Sequence, residues 1–355
     1  MRIVARWSIA HLAAQFLIIK TLIMKPDLDI GVVVPTRNSM PHIRDHVEAL
    51  NQWIGRVKEV VVVDSQSVDG TVDYIREHLL HSNLVIIDHP PGLYESWNAG
   101  ISKIQSKYTY IATVNDYMPW ETLVRLYSEA ERLAADVVVS APEIVYEDST
   151  SKHRKWPIHS FLEKSVPKET YLFQPLELLA WNSIDLPGTL IGSSASNLYR
   201  SVALQENPFP YDYGHAGDSA WAVAQALSLR WAVVPDVASN FQCHAGKGSG
   251  RGPGRRLRAQ LYALSCGQVE CAEGELATAG VEAEILNALR YLFRLWERKE
   301  QAVSGYQAYR KRRVPWVIFP RAWMLRSSKN RADLEIRHQV EVILAKAGDL
   351  YCYEQ

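Results

Sequence analysis

Ile30-Gly31-Val32-Val33-Val34-Pro35-Thr36-Arg37-Asn38 and Glu59-Val60-Val61-Val62-Val63-Asp64-Ser65-Gln66-Ser67-Val68-Asp69-Gly70-Thr71 decide the fold of this 355-residue chain. Each is a short run of apolar, mostly β-branched residues that stops abruptly at turn-forming residues. That pattern predicts a strand buried on both faces and emptying into a loop. Between them, Ile43, Val47 and Leu50 recur at helical spacing, so residues 41–53 are expected to form a helix. The alternation continues outward. Helix is predicted over residues 72–80, strand over 84–87, helix over 96–104, strand over 108–114, helix over 119–133 and strand over 136–140. Strands alternating with helices imply an α/β fold with a mostly parallel sheet and right-handed crossovers. Ligands of such sheets bind at the carboxyl ends of the strands, where Thr36, Asp64 and Asn115 fall.

Residues 150–190 are rich in proline and aromatic side chains and read as an irregular insertion over the site. A helix around 218–229 and a strand around 231–234 follow. From Gly246 a glycine-rich basic loop leads into a region, 255–355, that reads mostly as helices. The expected organisation is therefore an N-terminal extension (1–26), an α/β domain (27–245), and a basic loop with a helical region (246–355). Residues 9–24 are apolar but interrupted by His11, Gln15 and Lys20, too short to span a bilayer and without a small-residue cleavage site.

Bulk composition excludes little. Lys plus Arg and Asp plus Glu are both 39, so overall charge favours neither a nucleic-acid nor an acidic partner. With 47% hydrophobic and 22% charged residues, the chain can bury a substantial core. The four cysteines form no CxxC pair, which fits free thiols in a reducing compartment and a cytoplasmic location.

Taken singly, the loops after the first two strands are also good turn sequences. Together they resemble the opening of the family 2 glycosyltransferases of GT-A fold, which show Pro-Thr-x-Asn after one strand and an Asp-rich, Gly-Thr-ended loop after the next. Gly92-Leu93-Tyr94-Glu95-Ser96-Trp97-Asn98-Ala99-Gly100-Ile101 resembles a segment that in this family sits beside the donor nucleotide. Residues 191–200 resemble its acceptor-side strand. The resemblance covers residues 29–245. It implies a nucleoside diphosphate sugar donor held by Pro35, Thr36, Asn38, Asp64, Ser65, Asn98 and Asn115. It also implies inverting transfer to a glycan or lipid-linked acceptor in cell-surface polysaccharide or glycolipid synthesis.

The family usually carries paired acidic residues after the fourth strand to hold Mg²⁺ or Mn²⁺ against the diphosphate. Here the stretch is Val114-Asn115-Asp116-Tyr117-Met118-Pro119, with one carboxylate. Asp116 is either a metal ligand, with Asn115 as a neutral partner, or an N-terminal residue of the following helix. The resemblance makes His244 a second metal ligand or a phosphate contact; its other reading is a structural or surface histidine. The family's base is an Asp at the start of a late helix, usually preceded by Glu. Asp218 occupies that position behind Gly217, and a helix-capping role is compatible with it. Lys247 and Arg251, in the glycine-rich loop, are candidates for contacting a diphosphate leaving group, or are part of a solvated linker.

Basic residues 310–313 precede a tryptophan-rich apolar stretch, 314–326, that suits either peripheral membrane contact or packing against the α/β domain. No nucleic-acid-binding fold is recognisable. A non-catalytic nucleotide- or glycan-binding scaffold is the alternative, favoured by the thin metal motif. A nucleotidyltransferase would need a glycine-rich, basic triphosphate loop after the first strand, which Pro35-Thr36-Arg37-Asn38 is not.

Overall fold

The computed structural model describes residues 28–147, 155–165, 167–243, 255–275, 281–311 and 319–352. The N-terminal extension, His244, Lys247 and Arg251 lie outside them, as does residue range 312–318 of the tryptophan-rich stretch.

The first strand, β1 (Leu28–Thr36), pairs in parallel with β2 (Val57–Asp64), and β2 with β3 (Leu84–Asp88). On its other side β1 pairs in parallel with β4 (Tyr108–Ile111). Side chains alternate across such strands, and here both faces are covered. Ile30, Val32, Val34, Val60 and Val62 pack with Ile43 and Val47 of α1 (Met40–Asn51) and Ile75 of α2 (Thr71–His78). Val33, Val61 and Val63 face the other way, toward Trp97 and Ile101 of α3 (Leu93–Ile101). The runs of Val therefore have no polar face to show, as the sequence pattern requires.

Beyond β4 the sheet continues through β5 (Val137–Val139), β7 (Tyr171–Leu172), β8 (Leu198–Arg200) and β9 (Trp231–Val233), in the order β3-β2-β1-β4-β8-β5-β9-β7. Strand β8 is antiparallel to both of its neighbours, β4 and β5, and β7 is antiparallel to β9. A separate parallel pair, β6 (Glu143–Tyr146) with β10 (Asn240–Cys243), stands beside the main sheet. Helix α4 (Trp120–Leu133) buries Leu123, Leu126 and Ala130 and packs against β8 and β5.

Two expectations are corrected. The fourth strand ends at Ile111 rather than at 114, because Ala112 donates the last ladder bond to Val33 and the chain then turns, with Asn115 in the left-handed region at φ 81°. The described part of residues 150–190 is not an irregular cover. It forms α5 (Pro157–Ser165) and α6 (Pro175–Ser183), and α6 is buried at every position from Leu176 to Ser183. What buries α6 includes α8 (Gly217–Ala224) and the long helices α9 (Arg255–Glu275), α10 (Val281–Lys311) and α11 (Phe319–Cys352). Leu261, Ile285, Leu289, Leu292, Ile336 and Ile343 of those helices share one hydrophobic cluster with α6 and the α3 face of the sheet. No helix among the described residues is long and apolar enough to cross a membrane.

Candidate active site

Parallel pairing aligns the strand ends: Thr36 lies opposite Asp64, and Asp64 opposite Asp88. The loops that leave this edge are fastened to each other. Asn38 N–H donates to Ser67 Oγ (2.8 Å), and its side-chain oxygen accepts from Val68 N–H (2.9 Å). Ser39 N–H donates to Thr71 Oγ1 (2.8 Å) and Met40 N–H to Asp69 Oδ2 (3.0 Å), so the second loop caps the N-terminus of α1. The Asp64 carboxylate accepts from Ser67 through both its backbone N–H (2.8 Å) and its hydroxyl (2.5 Å). Burial pushes the Asp69 pKa up, but the hydrogen bonds from Thr71 and Met40 outweigh it and hold this carboxyl below its ordinary value.

Between these loops and α3 lies an open cleft of about 310 Å³. Its wall contains Pro35, Thr36, Arg37 and Ser65 from the strand ends, Leu93, Ser96 and Trp97 from α3, and Thr113 from the turn after β4. Of the residues singled out in the sequence, the structure brings Pro35, Thr36 and Ser65 together in this wall. Asn38 and Asp64 stand behind it as braces. Asn98 is directed elsewhere: its amide donates to the Phe209 carbonyl (2.8 Å) and accepts from Phe209 N–H (3.0 Å), tying α3 to the segment that leads to Asp218. Motif reading passed over Arg37, Ser96 and Trp97, although all three stand inside the quoted motifs. Their proximity depends on how α3 crosses the sheet, which Gly100 sets by lying directly on Val33 and Val63.

Asn115 and Asp116 belong to the tight turn after β4. One oxygen of Asp116 accepts from Thr113 Oγ1, and the other from Gln242 N–H (2.9 Å), so this carboxylate joins the turn to β10. No cluster of three or more His, Cys, Asp or Glu suited to a metal ion occurs among the described residues. One carboxylate with both oxygens already accepting from protein donors is a poor donor set for a hard divalent cation, which takes six or more oxygens. The described residues therefore do not fit a metal by themselves.

Asp218 lies in the first turn of α8. It is half-buried; burial raises its pKa, while hydrogen bonds from Tyr94 and Ser219 and the charge of His215 pull the other way. Ser219 N–H donates to its Oδ1 at 2.7 Å. The residue before it, Gly217, leaves no room for a side chain. A Cβ there would stand 2.2 Å from the Pro210 carbonyl oxygen and 2.6 Å from the Tyr94 ring. This close approach is the physical reason that glycine stands where the resemblance leads one to expect Glu. The carboxylate is thus connected to the cleft through Tyr94, a neighbour in sequence of the cleft residues Leu93, Ser96 and Trp97.

Residues 31–192 match the family model for glycosyl transferase family 2. Glycosyltransferase GlyG of Streptococcus pneumoniae serotype 4 is 26% identical over 113 residues, a stretch spanning 31% of this chain and 38% of that protein. Among solved structures, S. aureus TarS 1–349 in complex with UDP-GlcNAc has a TM-score of 0.56 and 17% identity, covering 92% of each chain. The mannosyltransferase PcManGT from Pyrobaculum calidifontis, in complex with GDP-Man and Mn²⁺, has a TM-score of 0.51 and 17% identity, covering 98% of this chain and 96% of that one. At such identities the structural likeness is one of fold. The family match runs from β1 to the loop before β8, the same part of the chain that builds the cleft wall: residues 31–192 are similar to the family 2 glycosyl transferases, and the chain shares the GT-A fold of these structures.

Proposed function

We propose that this protein transfers a sugar from a nucleoside diphosphate sugar to an acceptor hydroxyl, with inversion at the anomeric carbon. The nucleoside diphosphate lies in the cleft at the strand ends, against Pro35, Thr36, Ser65 and Trp97. Asp218 takes the proton of the acceptor hydroxyl as its oxygen attacks the anomeric carbon. The bond from that carbon to the diphosphate oxygen breaks, and the nucleoside diphosphate leaves with the electron pair. An alcohol becomes an adequate nucleophile only as its proton departs, so a carboxylate on the acceptor side is required. The observation that carries this reading is the placement of Asp218. It is a carboxylate with a raised pKa, fixed by Tyr94 to the helix that lines the cleft.

Negative charge develops on the diphosphate as it leaves. Arg37 is the cationic side chain in the described cleft wall, and we assign it to that charge. Lys247 and Arg251 are further candidates to meet that charge. A cation, as in the Mn²⁺ complex of PcManGT, would be held by Asp116 together with diphosphate oxygens and His244. No step above depends on it. The acceptor is a glycan or lipid-linked glycan of the cell surface, and the protein works in the cytoplasm or peripherally at the membrane.

The test is a thermal-shift titration with UDP, GDP, dTDP and CMP, each with Mn²⁺ and with EDTA. A ligand that binds only the folded state raises Tm by mass action, without any acceptor. Stabilisation by one nucleoside diphosphate, followed by turnover of its sugar donor that is abolished in Asp218→Asn, is the expected result. No stabilisation by any nucleotide under either condition would give the lead to a non-catalytic scaffold.

A further inference from the structure

Tyr94 has no part in the chemistry above, yet its hydroxyl is aimed at the proposed base. It is 2% exposed, and its ring is packed edge-on against Trp97 at 5.1 Å and tilted against Phe209 at 5.8 Å. Gly217 lies against the ring's own edge, so the phenol cannot swing away. Its hydroxyl donates to the His215 carbonyl at 3.2 Å and also lies within hydrogen-bonding reach of the Asp218 carboxylate. A phenol has one proton to donate, and two acceptors compete for it.

We propose that Tyr94 is a positioning residue for Asp218: its single proton turns to the carboxylate when Asp218 is charged and falls back to the His215 carbonyl when Asp218 is protonated. This deepens the reading of Asp218 as base and rests on it. Hydrogen bonds to a charged acceptor are about twice as strong as those to a neutral one, so the ionised carboxylate wins the competition. The acceptor hydroxyl then meets a carboxylate whose orientation is set by α3, the helix whose other residues line the donor cleft.

The groups that face Asp218 are few. Ser219 comes from its own helix, His215 from the turn ahead of it, Tyr94 from α3 and Tyr199 from β8. The Tyr199 hydroxyl already accepts from Asn197 Nδ2 at 3.3 Å, and burial keeps it protonated. Both phenols have pKa values raised by burial, so neither titrates across the neutral range. Of the two, Tyr94 is the one hydrogen-bonded to the carboxylate, which lowers the Asp218 pKa. Removing the Tyr94 hydroxyl alone must then raise the Asp218 pKa further.

The experiment compares thermal melts of the wild type, Tyr94→Phe, Asp218→Asn and the double variant between pH 5 and 9. The Tm penalty of Tyr94→Phe is expected to be largest at high pH and to shrink as pH falls and Asp218 takes up its proton. In the Asp218→Asn background the penalty loses its pH dependence. A penalty equal at every pH in both backgrounds would overturn the proposal and leave Tyr94 as packing alone.

If Tyr94→Phe does not fold, the near-UV difference spectrum of the wild type against Asp218→Asn replaces it. A tyrosine red shift that titrates supports the proposal, and a flat difference spectrum refutes it. These measurements need no donor, so they stand apart from the nucleotide screen that decides the transferase reading. With a donor found in that screen, the acid limb of the wild-type rate profile should move to higher pH in Tyr94→Phe, with KM for the donor unchanged; an unmoved limb counts against the proposal.

Discussion

Gly100→Ala offers a quantitative check of how α3 is seated. In an isolated helix this change is favourable by about 0.8–1 kcal/mol, because glycine pays the larger backbone entropy. In this helix a Cβ at position 100 would stand 2.6 Å from Val33 Cγ1 and 2.8 Å from Val63 Cγ2. Carbon atoms pack at about 3.5–4.0 Å, so α3 would have to retreat by roughly 1 Å. Neither valine can yield, since both are fully buried in adjacent central strands. Overpacking of a rigid core costs about 1–3 kcal/mol. The upper part of that range, less the helix gain, gives a net loss of about 1–2 kcal/mol.

With an unfolding entropy of about 2.1 cal/mol/K per residue, 1 kcal/mol shifts the Tm of this 355-residue chain by about 1.3 °C, so Tm should fall by roughly 1–3 °C. Because Ser96 and Trp97 move with the helix, nucleotide affinity should weaken as well. Gly267→Ala is the matched control: it lies within α9 with nothing within 4 Å of a new Cβ, so the same substitution should stabilise by up to about 1 kcal/mol. Urea unfolding of both variants reads the two signs directly. A neutral or stabilising Gly100→Ala would refute the close seating of α3 on the sheet.

Other expectations follow from single side chains. Glu177 is 4% exposed and accepts from the Tyr171 hydroxyl at 2.7 Å; burial raises its pKa from 4.5 to about 7. Its neutral form favours folding below pH 4.5, and that contribution is lost as pH rises through 7. Glu177→Gln should therefore gain stability over the wild type at pH 8.5, by up to about 3 kcal/mol, with the gain vanishing near pH 4.5 in urea titrations. Asn98→Ala removes both bonds to the Phe209 backbone and should cost about 2 kcal/mol in unfolding free energy while sparing nucleotide affinity. Arg37→Ala should weaken binding of a nucleoside diphosphate far more than of the bare nucleoside, measured by calorimetry; equal losses would remove Arg37 from the diphosphate.

The parallel half of the sheet was legible because its strands are buried on both faces, so their Val runs have no competing periodicity. Even the failure at β4 has a local cause: Ala112, Thr113 and Val114 read as strand, but the chain must turn there to place Asp116 against Gln242. Helix α6 was illegible for the opposite reason. Leu176, Leu178, Leu179 and Trp181 leave no polar stripe, and such a segment is recognisable as a helix only once α9, α10 and α11 are known to cover it. At the site, the motifs pointed to these loops but did not distinguish the residues of the cleft wall from those that brace it. Asp64 and Asn38 look like ligand-binding residues in the sequence because both are polar and follow strands. Asn38 is hydrogen-bonded to the opposite loop and Asp64 to Ser67 of its own loop, contacts that exist only once the two loops are folded side by side.

Strand β8 also has a bearing on how the chain is made. It sits between β4 and β5 and is antiparallel to both, yet 86 residues, 112 to 197, separate it from β4. At about 5–20 residues per second, a ribosome needs roughly 4–17 s to deliver that stretch. Throughout that interval β3-β2-β1-β4 can already be assembled, with the outer side of β4 unpaired and offering Tyr108 and Thr109 to any passing strand. The nascent protein is therefore most vulnerable to aggregation in the middle of its synthesis. A codon or chaperone effect on its yield should map to the translation of residues 112–200, well before the C-terminal helices emerge.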